Sequence, residues 1–200
     1  MNKLLTRLIF IITSGPKYLV NWILLKIFKF NPWHLSPLAS RPYCLDLVEH
    51  INKFIGKEGT VVELGCGLGE SLARIKCQNR YGFDTSQQVL KAARIKFWLK
   101  GIKFVNGSFD DVLDMNIDYL IAVNFLHDFE TEQVKIWFDN ILNKNNIQNI
   151  IVDELTDENY FCLHKWKFIL PKEYKQISYI NDHPENGRVI KLFSAIRDHE

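Results

Sequence analysis

The residues best suited to chemistry lie in one run, Val61-Val62-Glu63-Leu64-Gly65-Cys66-Gly67-Leu68-Gly69, and in an acid that follows it, Asp84. The glycines let the main chain take angles closed to other residues and let a ligand touch the backbone. Three kinds of ligand compete for such a loop. The phosphate-cradling pattern G-x-x-x-x-G-K-[ST] is absent from the sequence. The dinucleotide pattern G-x-G-x-x-G/A is met by Gly65 and Gly67, but its third position is Glu70. An acid there, with Glu63 just upstream, repels a pyrophosphate at the start of a helix. What remains is a ligand with a nucleoside, a cationic centre and no phosphate. Asp84 ends the next apolar run, Tyr81-Gly82-Phe83-Asp84, 19 residues after Gly65. That is near the roughly 20-residue spacing at which an acid grips ribose hydroxyls in such folds. One carboxylate can accept from both hydroxyls, and a 2′-phosphate is disfavoured.

These residues need a scaffold, and the pattern around them supplies one. Cys44, Leu47, Val48, Ile51 and Phe54 recur at helical spacing, so a helix runs to Ile55 and stops at Gly56. Thr60–Leu64 reads as a buried strand, Gly65–Gly69 as a loop and Glu70–Cys77 as a helix. The alternation repeats: strand Tyr81–Phe83, helix Ser86–Leu99, strand Lys103–Val105, strand Ile117–Val123, a helix through Val134, Trp137, Phe138, Ile141 and Leu142, and strand Ile150–Val152. Lys175–Ile180 and Arg188–Ile196 read as a strand pair joined through Pro184-Glu185-Asn186-Gly187. Strand–helix alternation with a terminal strand pair means an α/β fold: a doubly wound, mostly parallel sheet of seven strands.

At this point the sequence resembles the class I S-adenosylmethionine-dependent methyltransferases. The resemblance rests on Glu63-Leu64-Gly65-Cys66-Gly67-Leu68-Gly69, on Gly82-Phe83-Asp84-Thr85-Ser86 with Leu90 and Ala92-Ala93-Arg94 after it, on Asn106-Gly107-Ser108-Phe109-Asp110, and on Asp118–His127. It covers residues 45–196. It implies a Rossmann-like methyltransferase fold and S-adenosyl-L-methionine as cofactor. By that resemblance Gly65 and Gly67 pass close to the methionine part of the cofactor, with Cys66 a small filler between them. Glu63 helps hold the ammonium, and Asp84, with Thr85 after it, takes the ribose hydroxyls. Ser108 and the Phe109 backbone hold adenine; many members carry an acid where Ser108 stands, and here the acid is displaced to Asp110 or Asp111. Asn124 completes the cofactor-binding set. It stands where nitrogen-methylating relatives carry an Asn-Pro-Pro-Tyr type motif, but Phe125-Leu126-His127 departs from it, which disfavours methylation of DNA or of protein glutamine amides.

Methyl transfer from a sulfonium is an in-line displacement in which positioning and exclusion of water can do much. A hydroxyl or ammonium acceptor must still lose a proton. Candidates for that step are Asn124, His127, Asp128, Asp153 and Glu154. His127 is the catalytic candidate, because an imidazole titrates near neutrality; the competing reading is a packing role beside the cofactor. Arg41-Pro42-Tyr43 can fold over the pocket, where Arg41 either pairs with the cofactor carboxylate or stays solvated at a helix start.

The composition of the 200 residues, 47% apolar and 24% charged, is that of a globular chain. Residues 1–45 hold six basic residues and no acid, against 19 basic and 23 acidic residues in the rest. Residues 1–40 read as a basic, aromatic-rich helical extension, broken near Ser14-Gly15-Pro16, and 41–200 as the cofactor-binding domain. The apolar stretches Leu8–Pro16 and Tyr18–Leu25 fall short of the roughly 20 residues that cross a bilayer. Arg7 interrupts the only signal-like run and no cleavage site follows, so the segment reads as retained. It packs as a cap or touches a membrane surface through residues 1–30. The four cysteines form no C-x-x-C pair, so neither a zinc nor a thioredoxin-like site is indicated, and scattered histidines suggest no metal. The expectation is a cytoplasmic enzyme, peripheral at the inner membrane face if the extension binds lipid. It would methylate a small-molecule or glycan hydroxyl. RNA methylation ranks second because the body is net acidic, and a non-catalytic cofactor-binding subunit is the reading from another class.

Overall fold

The computed structural model describes residues 18–156, 160–183 and 187–196. The expected break near Ser14-Gly15-Pro16 and the turn at Pro184-Glu185-Asn186 lie outside them. Seven strands form one sheet: β1 Thr60–Leu64, β2 Asn79–Asp84, β3 Lys103–Asn106, β4 Asn116–Ala122, β5 Asn146–Leu155, β6 Tyr174–His183 and β7 Arg188–Ala195, in the order β3-β2-β1-β4-β5-β7-β6. The first five are parallel, and β7 runs antiparallel to both β5 and β6. This is the doubly wound α/β sheet expected, and its order reverses between β1 and β4. A ligand in such a sheet sits beyond the carboxyl ends of the strands at that reversal.

Helix α1 covers residues 18–28, α2 is Pro42–Phe54, α3 is Gln87–Lys96 and α4 is Thr131–Lys144. Successive strand residues point to opposite faces. Val61 and Ile121 therefore join Leu47, Ile51, Leu90 and Ala93 of α2 and α3, while Val62 and Ala122 join Phe138 and Ile141 of α4. Leu24, Phe30 and Leu38 bury themselves in the first of these cores, so residues 18–40 pack as a cap on the body. The Pro32–Leu35 and Leu38–Ser40 stretches form single 3-10 turns, as two prolines there require.

Three elements differ from expectation. No helix spans Glu70–Cys77; the chain makes one 3-10 turn, Leu72–Arg74, and Ile75 is extended. The carbonyls a helix would use are taken by side chains. Arg80 donates to Leu72 O (3.2 Å) and Ile75 O (3.1 Å), and Asn52 Nδ2 donates to Arg74 O (3.0 Å). Helix α3 stops at Lys96 instead of reaching Leu99, and a 3-10 turn, Trp98–Lys100, leads to Gly101 at φ 66°. Strand β5 runs well beyond Ile150–Val152 at both ends, because β4 and β7 pair with its polar flanks.

Candidate functional site

Strand β1 delivers its end to the glycine loop at the reversal point. Gly65 (φ 63°) and Gly67 (φ 52°) hold left-handed backbone angles. A Cβ on Gly65 would lie 2.7 Å from the Phe125 ring, and one on Gly67 would lie 2.8 Å from His34 Nδ1. Both positions therefore need glycine twice over, for angle and for space. Asp84, at the end of β2, clasps this loop: Oδ2 accepts from the Gly67 N–H (2.9 Å) and Oδ1 from the Ser86 N–H (2.8 Å). Burial raises its pKa and the two N–H donors oppose that rise. Each oxygen keeps acceptor capacity for a further donor.

Two cavities meet at the loop. One, of about 300 Å³, is lined by Glu63, Gly65, Gly67, Arg41, Tyr160 and Arg188 among others. The second, of about 210 Å³, holds Asp84, Thr85, Ser108 and Phe109, with the apolar rings of Phe125 and Trp137. Gly65 and Trp33 are the two residues that line both. A ligand that occupies both cavities must pass between them.

The first cavity carries opposite charges with open hydrogen-bonding capacity. Glu63 Oε2 and Arg41 Nε are both buried and, among the described residues, have no hydrogen-bond partner. Burial pushes the Glu63 carboxyl up to about 7, against the pull of Arg41 and a Ser71 hydrogen bond. A buried acceptor and a buried donor on one wall suit an ammonium and a carboxylate on the same ligand. Deeper in the cavity, Arg188 is ion-paired with Asp153 and lies over the rings of Tyr43 (5.2 Å) and Tyr160 (5.5 Å). Asp153 also accepts from the Asn124 N–H (3.1 Å), fixing the left-handed Asn124 (φ 72°) at the cavity wall.

The predicted residues divide accordingly. Glu63, Gly65, Cys66, Gly67 and Asn124 line the first cavity, and Asp84, Thr85, Ser108 and Phe109 the second. Cys66 is buried with its sulfur against Gly82, and burial pushes its thiol well up. Asp111, not Asp110, caps the turn after Ser108. Asp110 faces α4 instead, accepting from Asn140 Nδ2 at 3.1 Å. His127 lines neither cavity. Its ring packs edge-on to Tyr160 (4.8 Å between centroids), and burial lowers its pKa.

Sequence reasoning missed the contribution of the extension and of the C-terminal strands. His34 is buried against Gly67 and stacks on Trp33 with ring centroids 3.7 Å apart. Burial and nearby Arg41 lower its pKa to about 4, so it packs as a neutral ring. Glu70 is the clamp for this segment. It pairs with Lys96 and accepts from Leu38 N (2.5 Å) and Asn21 Nδ2 (3.3 Å), with Arg41 3.6 Å away. Burial alone would raise its pKa, but Lys96 and Arg41 hold it below the usual value. The acid that spoiled the dinucleotide pattern thus anchors the cap.

A glycine loop after β1, an acid after β2 and seven strands in this order define a Rossmann-like methyltransferase fold. Residues 62–143 match the family model described as a methyltransferase domain. The match covers 82 of the 200 residues, and the fold around it is the one that solved S-adenosylmethionine-dependent methyltransferases share. Among solved structures, magnesium protoporphyrin IX methyltransferase (ChlM) from Synechocystis PCC 6803 with bound SAM is similar over 94% of each chain, at 15% identity and a TM-score of 0.64. The N-methyltransferase NodS from Bradyrhizobium japonicum WM9, in complex with S-adenosyl-l-homocysteine, covers 89% of this chain and 99% of its own, at 12% identity and a TM-score of 0.69. The small RNA methyltransferase HEN1 is similar over 80% of this chain and 25% of its own, at 16% identity and a TM-score of 0.63. No curated protein matches the sequence significantly. Among the described residues no cluster could hold a metal ion, and no helix is long and apolar enough to cross a membrane.

Proposed function

We propose that the chain binds S-adenosyl-L-methionine across the two cavities and transfers its methyl group to a hydroxyl of a small-molecule or glycan acceptor. The observation that carries this reading is the pair of adjacent cavities that share Gly65 and Trp33, one with Asp84 on its wall and the other with Glu63 and Arg41. Asp84 would accept from the ribose hydroxyls, and Ser108, Phe109 and the rings around them would enclose the adenine. Glu63 would accept from the ammonium and Arg41 would donate to the carboxylate. The sulfonium of the bound cofactor supplies an activated methyl group. The chain's part is to hold donor and acceptor in line and to exclude water.

The acceptor end of this reading is the wall formed by Tyr43, Tyr160, Arg188 and Asn124. Asp153 holds Arg188, and both tyrosine rings flank its guanidinium, so that wall is fixed before any acceptor arrives. It puts two tyrosines, an asparagine and an ion-paired arginine on the wall of a small cavity, which supports a small polar group as acceptor. His127 supports Tyr160 from outside the cavity in this reading. The neighbouring structures act on quite different acceptors and do not choose among them.

Calorimetric titration of the full chain with S-adenosylmethionine and S-adenosylhomocysteine tests the reading. Micromolar binding of either is the expected result. Binding of neither would overturn it. Turnover on glycan or small-molecule pools, with none on RNA, would then support the acceptor class.

A further inference from the structure

Two stretches of the chain contain no acid. Residues 1–45 carry six basic residues and residues 85–109 carry five, whereas the remainder holds 14 basic and 23 acidic residues. The fold brings these stretches together. Lys96 of α3 donates to Asn21 of α1 (2.6 Å), and Val20, Phe97 and Lys100 line one groove between them. Among the described residues, Lys26, Lys29 and Arg41 of the first stretch and the five basic residues of the second therefore lie on segments that meet at one junction.

The same junction exposes apolar side chains. Helix α1 turns Asn21 and Leu24 inward, yet its opposite face shows Leu19, Trp22, Ile23 and Ile27 to solvent, with Lys26 over the Trp22 ring (5.2 Å). A helix that is apolar on both faces is ordinarily covered on both. On α3 and the turn after it, Ile95 is exposed, and Trp98 and Leu99 stand 76% and 77% exposed beside Lys100. The one acid lining the groove, Glu70, is buried and paired with Lys96. Aliphatic residues with tryptophans, set among lysines, have the composition of a surface that sits in a lipid interface.

We infer that this face, made by α1 and the Trp98–Lys100 turn, docks the protein on an anionic membrane surface. The apolar side chains would enter the headgroup boundary, and the lysines would meet lipid phosphates. Charge decides against a second copy of the chain, since each copy would bring the same positive face. A single-stranded RNA would need stacking rings along the basic surface, and here most of the exposed apolar residues are aliphatic. The inference stands apart from the cofactor reading. The segment that carries this face also sends Trp33, His34 and Arg41 to the cavities, so docking would place the site beside the lipid surface.

Co-sedimentation of the full chain with vesicles of phosphatidylcholine alone, or of phosphatidylcholine with phosphatidylglycerol, tests the inference. Binding to the anionic vesicles at least tenfold stronger than to the neutral ones is expected. The pairs Ile23→Ser with Ile27→Ser, and Trp98→Ser with Leu99→Ser, should each weaken it at least tenfold while melting temperature stays as in the wild type. Three results would overturn the inference. The wild type could remain in the supernatant with both vesicles. Both serine pairs could leave vesicle binding intact while a single-stranded RNA oligonucleotide binds equally well, marking a general polyanion surface. Light scattering could show a dimer that the serine pairs dissociate, without vesicle binding.

Discussion

The two cavities are built from the chain in different ways. The one at Asp84 is assembled mainly from short stretches where consecutive strands end, Leu64 and Gly65 at β1, Asp84 and Thr85 at β2, Gly107 to Phe109 at β3, with the rings of Trp33, Phe125 and Trp137 completing it. The one at Glu63 borrows the same loop and Asn124 after β4, but much of its wall is distant in sequence, with Trp33 and His34 from the cap, Arg41 and Tyr43 at the start of α2, Tyr160 after β5 and Arg188 at the start of β7. The Asp84 cavity is positioned largely by local geometry at the strand ends. The Glu63 cavity is complete only when the cap and the antiparallel strands have packed. Substitutions should therefore act differently in the two places.

The largest effect is expected at Asp84. Its carboxylate holds the Gly67 and Ser86 N–H groups and would hold two ribose hydroxyls as well. Hydrogen bonds to a charged group contribute about 1.5–3 kcal/mol each. Asp84→Ala should weaken S-adenosylmethionine binding on the order of a hundredfold or more, read by calorimetry, with a folded circular dichroism spectrum. A loss below tenfold would remove Asp84 from the ribose and leave it as a clasp for the loop.

The same contrast explains what was legible in the sequence. The strand-end residues could be found because each motif sits within a few residues of its strand, and strands β1 to β4 were visible as apolar runs. The sheet's antiparallel pair was visible too. Arg188 carried no signal, since a basic residue at the start of a strand usually faces solvent. Its partner Asp153 lies on a strand whose polar flanks hid its length. The missing helix after the glycine loop was illegible for a similar reason: Arg80 and Asn52 take its carbonyls, and neither is a sequence neighbour of the turn. Glu70 was read as a charge against phosphate, and its work as the anchor of the cap appeared only with Lys96 and the Leu38 N–H beside it.

An intermediate effect is expected at Glu63, and it has a pH signature. The buried carboxyl is raised from 4.5 to about 7. Only its ionised form pairs with an ammonium, so affinity for S-adenosylmethionine should climb as pH rises toward 7, by on the order of tenfold per unit, and then level. It should fall again as the ligand's amine loses its proton near 8. Glu63→Gln should flatten the climb. Stability of the free protein moves the other way. A raised carboxyl contributes stability that is full below 4.5 and lost as pH rises through about 7, so the glutamine variant should be at least as stable as the wild type at pH 8. Affinity of the wild type that stays constant through pH 7 would assign the ammonium to another group.

The smallest effect belongs to the place where the cavities join. Trp33 stacks on the neutral His34 and, with Gly65, walls both cavities. A cofactor whose adenosine lies against Asp84 and whose amino acid lies against Glu63 carries its sulfonium between them, within reach of the indole. An aromatic face attracts a cation by about 1 kcal/mol at a partly exposed site, which is about fivefold in affinity. S-adenosylhomocysteine has the same shape at that point without the charge. Trp33→Leu should therefore weaken S-adenosylmethionine about fivefold and leave S-adenosylhomocysteine nearly unchanged, with Trp33→Phe falling between. Equal losses for both ligands would make Trp33 a wall that fits by shape alone. Unchanged binding of both would place the sulfonium away from the cap and would leave the second cavity's contribution to the cofactor entirely to the strand ends.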